Sequence, residues 1–169
     1  MTEPVWLSRS DVETLHAKVI ESSGGSHGLR DANLLESALA RPQNLHAYGE
    51  ADTFQLAASY AEGIARNHAF VDGNKRTAFL SASFFLRQNG HELMHREDDG
   101  YVDVMESLAQ GQTSREQMAD VLKANARPLQ KQDETQGDQA ADPFAKYRPA
   151  AAERQDAQPP KQKPPRMKP

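Results

Sequence analysis

His68-Ala69-Phe70-Val71-Asp72-Gly73-Asn74-Lys75-Arg76 decides the fold, because this stretch lies between two helical patterns. Upstream, apolar residues recur every three or four positions and the count ends at His68, which predicts an amphipathic helix. They are Phe54, Ala57, Ala58, Ala61, Ile64 and Ala65. Downstream, residues 74–89 are apolar on most sides, which is typical of a buried central helix. Asp72 is the predicted N-cap of this second helix, and Asn89-Gly90 is its predicted end.

The start of the second helix has the features of a phosphate site. The first backbone N–H groups of a helix have no partner within it and carry roughly half a positive charge, so they attract anions. Gly73 allows a ligand to approach this backbone closely, and Asn74 follows it. Lys75 and Arg76 add two cations. Arg66, near the end of the preceding helix, could reach the same phosphates or partner its own helix C-terminus.

Two further side chains bring metal and acid–base chemistry. A carboxylate beside bound phosphates is a usual protein ligand of Mg²⁺, which suits Asp72. A histidine side chain such as His68 can take a proton from an attacking hydroxyl. Each residue alone also has a structural explanation: a core histidine at 68, a helix cap at 72, solvated charges at 75 and 76. Cations at a helix start need a compensating anion, however, and the combination favours a phosphate-handling site.

The nine-residue stretch resembles the signature H-[PA]-F-x-[DE]-G-N-x-R of the Fic family, in the form found in Doc ("death on curing") toxins of bacterial toxin–antitoxin modules. The Doc form has Lys where nucleotidyl-transferring Fic enzymes have a second Gly, and it lacks their distal Arg. Lys75 and Phe79 stand at these two positions here. The resemblance also covers residues 28–31 and 34–38 and runs to about residue 126.

The resemblance implies an all-α, Fic-like domain of about six helices with a buried central helix and at most a small β-hairpin. It implies a type II toxin that transfers the γ-phosphate of ATP to a Ser/Thr hydroxyl of elongation factor Tu and so arrests translation. This target and a cognate antitoxin are the implied partners, and ATP and Mg²⁺ are the implied cofactors. His68 would be the general base and Asp72 the Mg²⁺ ligand. The residues expected to bind the nucleotide are Arg66, Gly73, Asn74, Lys75 and Arg76.

Two other functions fit the same residues. One is nucleotidyl (AMP) transfer, the chemistry of most Fic enzymes, in which the α-phosphate is attacked. The other is a non-enzymatic protein that senses nucleotide. In nucleotidyl-transferring relatives a Gly leaves space for a phosphate, and Lys75 fills this space here. Phe79 replaces the distal Arg that binds the nucleotide in those relatives. Since the nucleotide could then not lie in the same direction, we expect the γ-phosphorus to face His68.

The composition indicates one domain followed by a tail. Of the 169 residues, 37% are hydrophobic, which is low for a chain of this length. Residues 1–126 hold eleven Lys/Arg and eighteen Asp/Glu, a net charge of −7. Residues 127–169 hold nine and six, a net charge of +3, together with eight of the ten prolines. Because this second segment has few large apolar residues, we expect a Fic/Doc-like domain over 1–126 and a disordered Pro/Gln-rich tail over 127–169.

Several classes of function are disfavoured. The chain has no Cys, which excludes disulfides, thiolate catalysis and Cys-based metal sites. No apolar run approaches the roughly 18 residues that cross a membrane, and the first residues lack a signal-peptide pattern, so we expect a cytoplasmic protein without a membrane partner. The net charge of −4 does not favour direct contact with nucleic acid.

Cap and turn signals divide the rest of the body. Ser10-x-x-Glu13 and Thr113-x-x-Glu116 are predicted capping boxes, and Asp98 is the predicted cap of the helix between residues 100 and 110. Pro42 is predicted to stop the helix that follows Asp31, which leaves residues 43–52 as a polar connection.

Residues 5–7 and 91–97 are predicted to be short strands that pair. His16 and His27 are interpreted as structural or solvent-facing. His91 and His95 are four apart and flanked by carboxylates, but the spacing matches no metal site, and a structural role is favoured.

Overall fold

The structure is a computed structural model that describes residues 2–49, 51–94 and 100–130. In chain order its helices are α1 (Arg9–Ser23), α2 (Ala32–Ala47), α3 (Thr53–Asn67), α4 (Asn74–Gln88), α5 (Gly100–Ala109) and α6 (Arg115–Ala124). Two three-residue strands, β1 (His91–Leu93) and β2 (Ala126–Pro128), form an antiparallel pair. The predicted all-α fold of about six helices with a minimal β-pair is confirmed.

The core lies around α3 and α4. The predicted burial of α4 is confirmed, and α3 is buried just as completely between Leu56 and Ala65. Gly63 lets α2 approach α3 closely, since a Cβ at this position would lie 3.2 Å from the Cα of Ala38. Tyr60 is fully buried, and burial raises its pKa to about 12. These two helices form the base from which the turn at residues 68–73 projects.

Side chains cap four helix starts, and each accepts a hydrogen bond from an N–H group of the first turn. The caps are Ser8, Asp31, Asp52 and Ser114. The predicted capping boxes at Ser10 and Thr113 are therefore wrong by two residues and one residue. In both places the sequence holds overlapping candidates, because Ser8-x-x-Asp11 and Ser114-x-x-Gln117 have the same spacing.

Helix α2 continues through Pro42 to Ala47, so the predicted stop at Pro42 and the polar connection over residues 43–52 are wrong. A proline inside a helix costs about 3 kcal/mol or more, because it removes one hydrogen bond and crowds the carbonyl four residues earlier. Here the ring of Pro42 is fully buried, and that carbonyl, on Ala38, lies where α3 packs against α2. Apolar packing offsets the loss.

The predicted pairing of residues 5–7 with residues 91–97 is also wrong. Val5 instead exchanges hydrogen bonds with the side-chain amide of Asn89, at 2.8 and 3.1 Å. Strand β1 pairs with β2, with His91 opposite Pro128 and Leu93 opposite Ala126. Strand β2 extends two residues beyond the predicted domain boundary at 126.

Some predictions fall outside the described residues: the tail over 131–169, His95 and the cap at Asp98. The division into a domain and a disordered tail therefore stays a prediction. Among the helices in the described ranges, none has the length and apolar character needed to cross a bilayer.

Candidate functional site: the cleft at the start of α4

The turn between α3 and α4 is held against the turn between α1 and α2. Residues 28–31 and 69–71 lie side by side like two short strands. Leu29 and Phe70 form an antiparallel β-bridge. The N–H groups of Arg30 and Asp31 donate to the Ala69 carbonyl oxygen at 2.7 and 3.1 Å. The Val71 N–H donates to the Gly28 carbonyl oxygen at 3.0 Å. The family signature is therefore fixed in space by a second segment from far along the chain.

His68 ends α3 in the left-handed conformation, with φ 50° and ψ 45°. Because the chain leaves helical geometry at this residue, the side chain is exposed rather than buried on the apolar face of α3. The alternative of a buried core histidine is therefore wrong. Within the described residues no hydrogen bond engages the imidazole, which leaves a ring nitrogen available for proton transfer.

Asp72 does not cap α4, contrary to the prediction, because its carboxylate turns back toward the end of α1. One oxygen accepts from the Gly73 N–H at 2.7 Å, and the other accepts from the Ser26 N–H at 3.2 Å. These bonds, the one from Gly73 first, hold the pKa of the carboxyl below its usual value. The carboxylate is thus ionised at neutral pH, and it keeps lone pairs for a further ligand.

His16 fixes the backbone of the same turn. Its Nε2 lies 2.7 Å from the Asp72 carbonyl oxygen, so this nitrogen carries the proton and donates. The ring stacks on Phe70 at a centroid distance of 4.0 Å. Burial lowers the pKa of His16 and so favours the neutral ring. The role is structural, as the sequence indicated, but it serves the site.

Helix α4 starts without a side-chain cap. Gly73 occupies the N-cap position with φ 76°, and a Cβ there would lie 3.1 Å from Ile20 Cδ1. Asn74 closes the turn, since its amide accepts from the Phe70 N–H at 3.0 Å and donates to the Phe70 carbonyl at 2.9 Å. The first-turn N–H groups thus keep the open arrangement that binds anions at helix starts.

Lys75 and Arg76 leave this start in different directions. The Lys75 ammonium forms an ion pair with Glu106 on α5, and the hydrogen bond from Lys75 lowers the pKa of Glu106. Arg76 donates to the Gly24 carbonyl at 2.9 Å and lies 3.6 Å from Asp72 Oδ1. Both cations have carboxylate partners, so a phosphate bound here would compete with these carboxylates.

These groups line an open cleft of about 320 Å³. The lining residues are His68, Val71, Asp72, Gly73, Asn74, Lys75 and Arg76. The structure therefore brings six of the seven predicted site residues together. Pockets for small ligands run from roughly 300 to 1,000 Å³, so the volume of the cleft is at the lower end of that range.

Arg66 lies apart from this cleft in the described part of the chain. Its Nε donates to the Leu108 carbonyl at 2.9 Å, and its guanidinium pairs with Glu62 at 2.7 Å. A longer contact of 3.4 Å reaches the Thr113 carbonyl. Arg66 thereby ties α3 to the connection between α5 and α6. A phosphate-binding role for Arg66 stays a prediction that these contacts do not support.

Two residues near the site were missed by sequence analysis. Glu106 lies 31 positions from its partner Lys75, and nothing in its local pattern distinguishes it from other surface carboxylates. Arg30 donates from its guanidinium to the His68 carbonyl. It lies in the segment that the family resemblance covers, and that inclusion is the one signal that could have drawn attention to it.

Asp72 is the candidate metal ligand. Among the described residues no cluster of three or more His, Asp or Glu side chains could hold a metal ion. Mg²⁺ is commonly held by one or two carboxylates together with water and substrate phosphates, so a lone carboxylate beside an anion site suits it. The Asp72 side chain is 47% exposed, and its carboxyl is ionised, which fits this mode of binding.

Fold and site define a class of protein: a helical domain whose buried central helix starts at an uncapped Gly-Asn-Lys-Arg turn beside an exposed His. Comparison with known proteins agrees. The sequence model described as the Fic/DOC family matches residues 6–86. The chain is 36% identical over 118 residues to "Protein kinase doc" of Escherichia phage P1, a match that covers 69% of this chain and 92% of that protein.

A second relative is "Toxin Doc" of Mycolicibacterium smegmatis. It is 41% identical over 114 residues, which cover 64% of this chain and 82% of that protein. Both matches include most of the relative's length and more than 100 residues of this chain, so they extend well beyond the nine-residue signature. The chain belongs to the Fic/DOC family, and it is of the Doc type.

Proposed function

We propose that the chain is the toxin of a toxin–antitoxin module and acts as a protein kinase, transferring the γ-phosphate of ATP to a Ser/Thr hydroxyl. The observation that carries this proposal is that the exposed imidazole of His68 and the uncapped start of α4 line one cleft. A base for the hydroxyl and an anion site for the phosphates are what phosphoryl transfer to an alcohol requires. The printed names of the two relatives, a protein kinase and a toxin, support the same function.

In the proposed reaction, His68 takes the proton of the target hydroxyl while its oxygen attacks the γ-phosphorus. A new P–O bond forms, the bond to the bridging oxygen breaks, and ADP leaves with the electron pair. The transition state is loose and spreads negative charge over the phosphoryl oxygens. The backbone at Gly73 and Asn74 and the cations Lys75 and Arg76 stabilise this charge. Such fixed donors are usually a large part of catalysis.

Asp72 is the residue that would hold Mg²⁺ at this site, and the ion would neutralise phosphate charge. The protein's own contribution is the state of the carboxylate. The amides of Gly73 and Ser26 keep Asp72 ionised, and the bond from His16 to the Asp72 carbonyl fixes its backbone. The carboxylate is therefore oriented before a ligand arrives, which lowers the entropic cost of binding.

Residues on the α5 side of α4 favour γ-transfer over nucleotidyl transfer. Phe79 packs against Tyr101 with ring centroids 4.6 Å apart, so an aromatic pair stands where nucleotidyl-transferring relatives have an Arg. Lys75 stands where they have a Gly, and its ammonium is directed toward Glu106. Both differences support a nucleotide that enters with its γ-phosphorus toward His68.

Elongation factor Tu is the proposed target, and a cognate antitoxin is the proposed neutralising partner. Both follow from the Doc type of the signature around His68 and Lys75 rather than from a contact in the molecule. A cytoplasmic location is part of the same proposal, because translation takes place there.

Mass spectrometry of elongation factor Tu after incubation with the purified protein, ATP and Mg²⁺ tests the proposal. A phosphate adduct that is absent with the His68→Ala variant is the expected result. An adenylate adduct would establish the nucleotidyl alternative, and an unmodified target would favour the nucleotide-sensing alternative.

ATP labelled at either the γ- or the α-phosphorus gives a second test. Label should pass to the target from ATP labelled at the γ-phosphorus and not from ATP labelled at the α-phosphorus. Lys75→Gly should lose this transfer without gaining adenylation, because Phe79 still offers no cation. Transfer of α-label by the unsubstituted protein would overturn the kinase proposal.

A further inference from the structure

The backbone of His68 is strained. Among the described residues it is the one residue other than glycine with a positive φ. An L residue avoids this region because its Cβ crowds the backbone, so the conformation needs support from its surroundings. The same conformation turns the side chain away from the face on which a longer α3 would bury it. Access of the imidazole to the cleft therefore depends on a backbone that must be held.

Arg30 supplies a hold on this backbone. Its Nη2 donates to the carbonyl oxygen of His68. The N–H groups of Arg30 and Asp31 both donate to the next carbonyl, that of Ala69, at 2.7 and 3.1 Å. The turn that contains Arg30 and Asp31 thus donates hydrogen bonds to two consecutive carbonyls, those of His68 and Ala69, where α3 ends. A cationic donor is favoured at this end of a helix, because the terminal carbonyls carry partial negative charge.

A second arginine at the same helix end provides a contrast. Arg41 is exposed, as Arg30 is, and its guanidinium donates to the Asn67 Oδ1 at 2.9 Å. The acceptor of Arg41 is the side chain of the residue before His68, whereas the acceptor of Arg30 is the backbone of His68 itself. Two similar surface cations therefore differ in whether they touch the strained peptide.

We propose that Arg30 is a positioning residue that holds His68 in the left-handed conformation and so keeps the imidazole in the cleft. The proposal rests on the proposed function of His68 as the general base. Arg30 acts through His68 and touches no reacting atom. Without its guanidinium, φ of His68 relaxes toward right-handed values in part of the molecules, and the ring leaves the geometry needed for proton transfer.

The kinetic test compares Arg30→Ala, Arg30→Lys and Arg41→Ala in the full chain. Arg30→Ala should lower kcat by about 10- to 100-fold, the usual cost of a small misplacement of a reacting group. Its KM for ATP should stay near that of the unsubstituted protein, because the start of α4 is unchanged. Arg30→Lys, which keeps a cationic donor, should recover most of kcat, and Arg41→Ala should keep all of it. Equal losses in the two alanine variants, or a change confined to KM, would overturn the proposal.

A nucleotide-free measurement separates this proposal from the kinase proposal. The ring signals of His68 in an NMR spectrum are identified by their loss in His68→Gln. They should shift and broaden in Arg30→Ala and stay unchanged in Arg41→Ala, with both variants folded by circular dichroism. Unchanged His68 signals in Arg30→Ala would refute the positioning role whatever the enzyme does. An unsubstituted protein that modifies no target would refute the kinase proposal and leave this readout intact.

Discussion

The connection before α4 and the connection before α6 are built in opposite ways. Helix α6 begins with Ser114, whose hydroxyl and the Gln117 side chain form a reciprocal capping box, and an acidic residue follows in the first turn. Helix α4 begins with Gly73, has no side-chain cap, and places cations rather than acids in its first turn. Both connections contain a glycine with φ 76°, at positions 73 and 111.

The start of α6 is completed by side chains of its own first turn, whereas the start of α4 has no side-chain cap, as the proposed phosphate site requires. A cap contributes about 1 kcal/mol, and cations at a helix start oppose the dipole by up to about the same amount. Helix α4 tolerates both losses because it is buried against α1, α3 and α5. Side chains cap the starts of α1, α2, α3 and α6, and the absence of such a cap at α4 supports the proposed anion site.

The largest expected effect comes from removing His68, the proposed base beside the uncapped start of α4. His68→Ala should lower the rate of target phosphorylation by about 10²- to 10⁴-fold, because a general base contributes on that order. The melting temperature should change little, since the side chain is exposed. Cells expressing this variant without antitoxin should grow. Continued growth arrest would remove His68 from the mechanism.

The two glycines with equal φ allow a matched pair of variants. Gly73→Ala and Gly111→Ala should each cost about 1–2 kcal/mol of unfolding free energy, because alanine is strained at positive φ. At Gly73 the new Cβ also meets Ile20 Cδ1 at 3.1 Å, whereas at Gly111 the nearest atom is 3.8 Å away. Only Gly73→Ala should lower activity, by about tenfold or more. Chemical denaturation and target phosphorylation measure the two effects. Similar activity in both variants would mean that the start of α4 is not the phosphate site.

A smaller effect is expected from Glu106, which pairs with Lys75, a cation proposed to bind phosphate. Glu106→Gln should lower the KM for ATP by about two- to five-fold, as expected for loss of an exposed ion pair that competes with the ligand. Glu116→Gln, which neutralises a carboxylate at the start of α6 instead, is the control and should leave KM unchanged. A higher KM in Glu106→Gln would show that Glu106 orients Lys75 rather than competing for it.

A substitution at the capped start of α6 should lower stability and leave activity unchanged. Ser114→Ala removes the hydroxyl that accepts from the Gln117 N–H and should cost about 1 kcal/mol of unfolding free energy. Kinase activity per folded molecule should stay the same. A loss of activity in this variant, measured well below its melting temperature, would mean that the two connections are coupled.

The smallest effect is expected from removing the tail. A variant that ends at Gln130 should match the full chain in melting temperature and activity, since the tail has few apolar anchors. A variant that ends at Ala126 is the contrast, because it loses the pairing of Arg127 with Glu92 in the β1–β2 ladder. A clear drop in the melting temperature of the variant that ends at Gln130 would mean that part of the tail packs on the folded domain.

Local sequence patterns correctly predicted features that depend on neighbouring residues in the chain. Helical spacing located α3 and α4, and the Asn89-Gly90 signal located the end of α4. The same reasoning failed where packing outweighs propensity. Pro42 lies inside α2 because its ring is buried, and the predicted cap at Asp72 gave way to Gly73 because the carboxylate accepts from Ser26 of another turn.

The candidate site likewise contains residues that the sequence could group and residues that only the fold brings together. Six of its residues lie within the nine-residue family signature, 68–76, so the sequence could group them. Arg30 and Glu106 reach the site through tertiary contacts over long separations, and no periodicity reports such contacts. The left-handed His68 was not predicted either, because its neighbours carry no glycine or turn signal before residue 72.

The bridge between Leu29 and Phe70 links the cleft to the order in which the molecule assembles. Closing a loop of roughly 40 residues costs on the order of 3 kcal/mol of chain entropy, so we expect the two turns to meet once α2 and α3, which lie between them, have packed. We also expect a brief separation of the turns to disturb the cleft while α3 and α4 stay packed. The amide of Val71, which donates to Gly28, should exchange its hydrogen with solvent only while the turns are apart. Hydrogen exchange at this one amide would therefore measure the free energy of that separation in the folded protein.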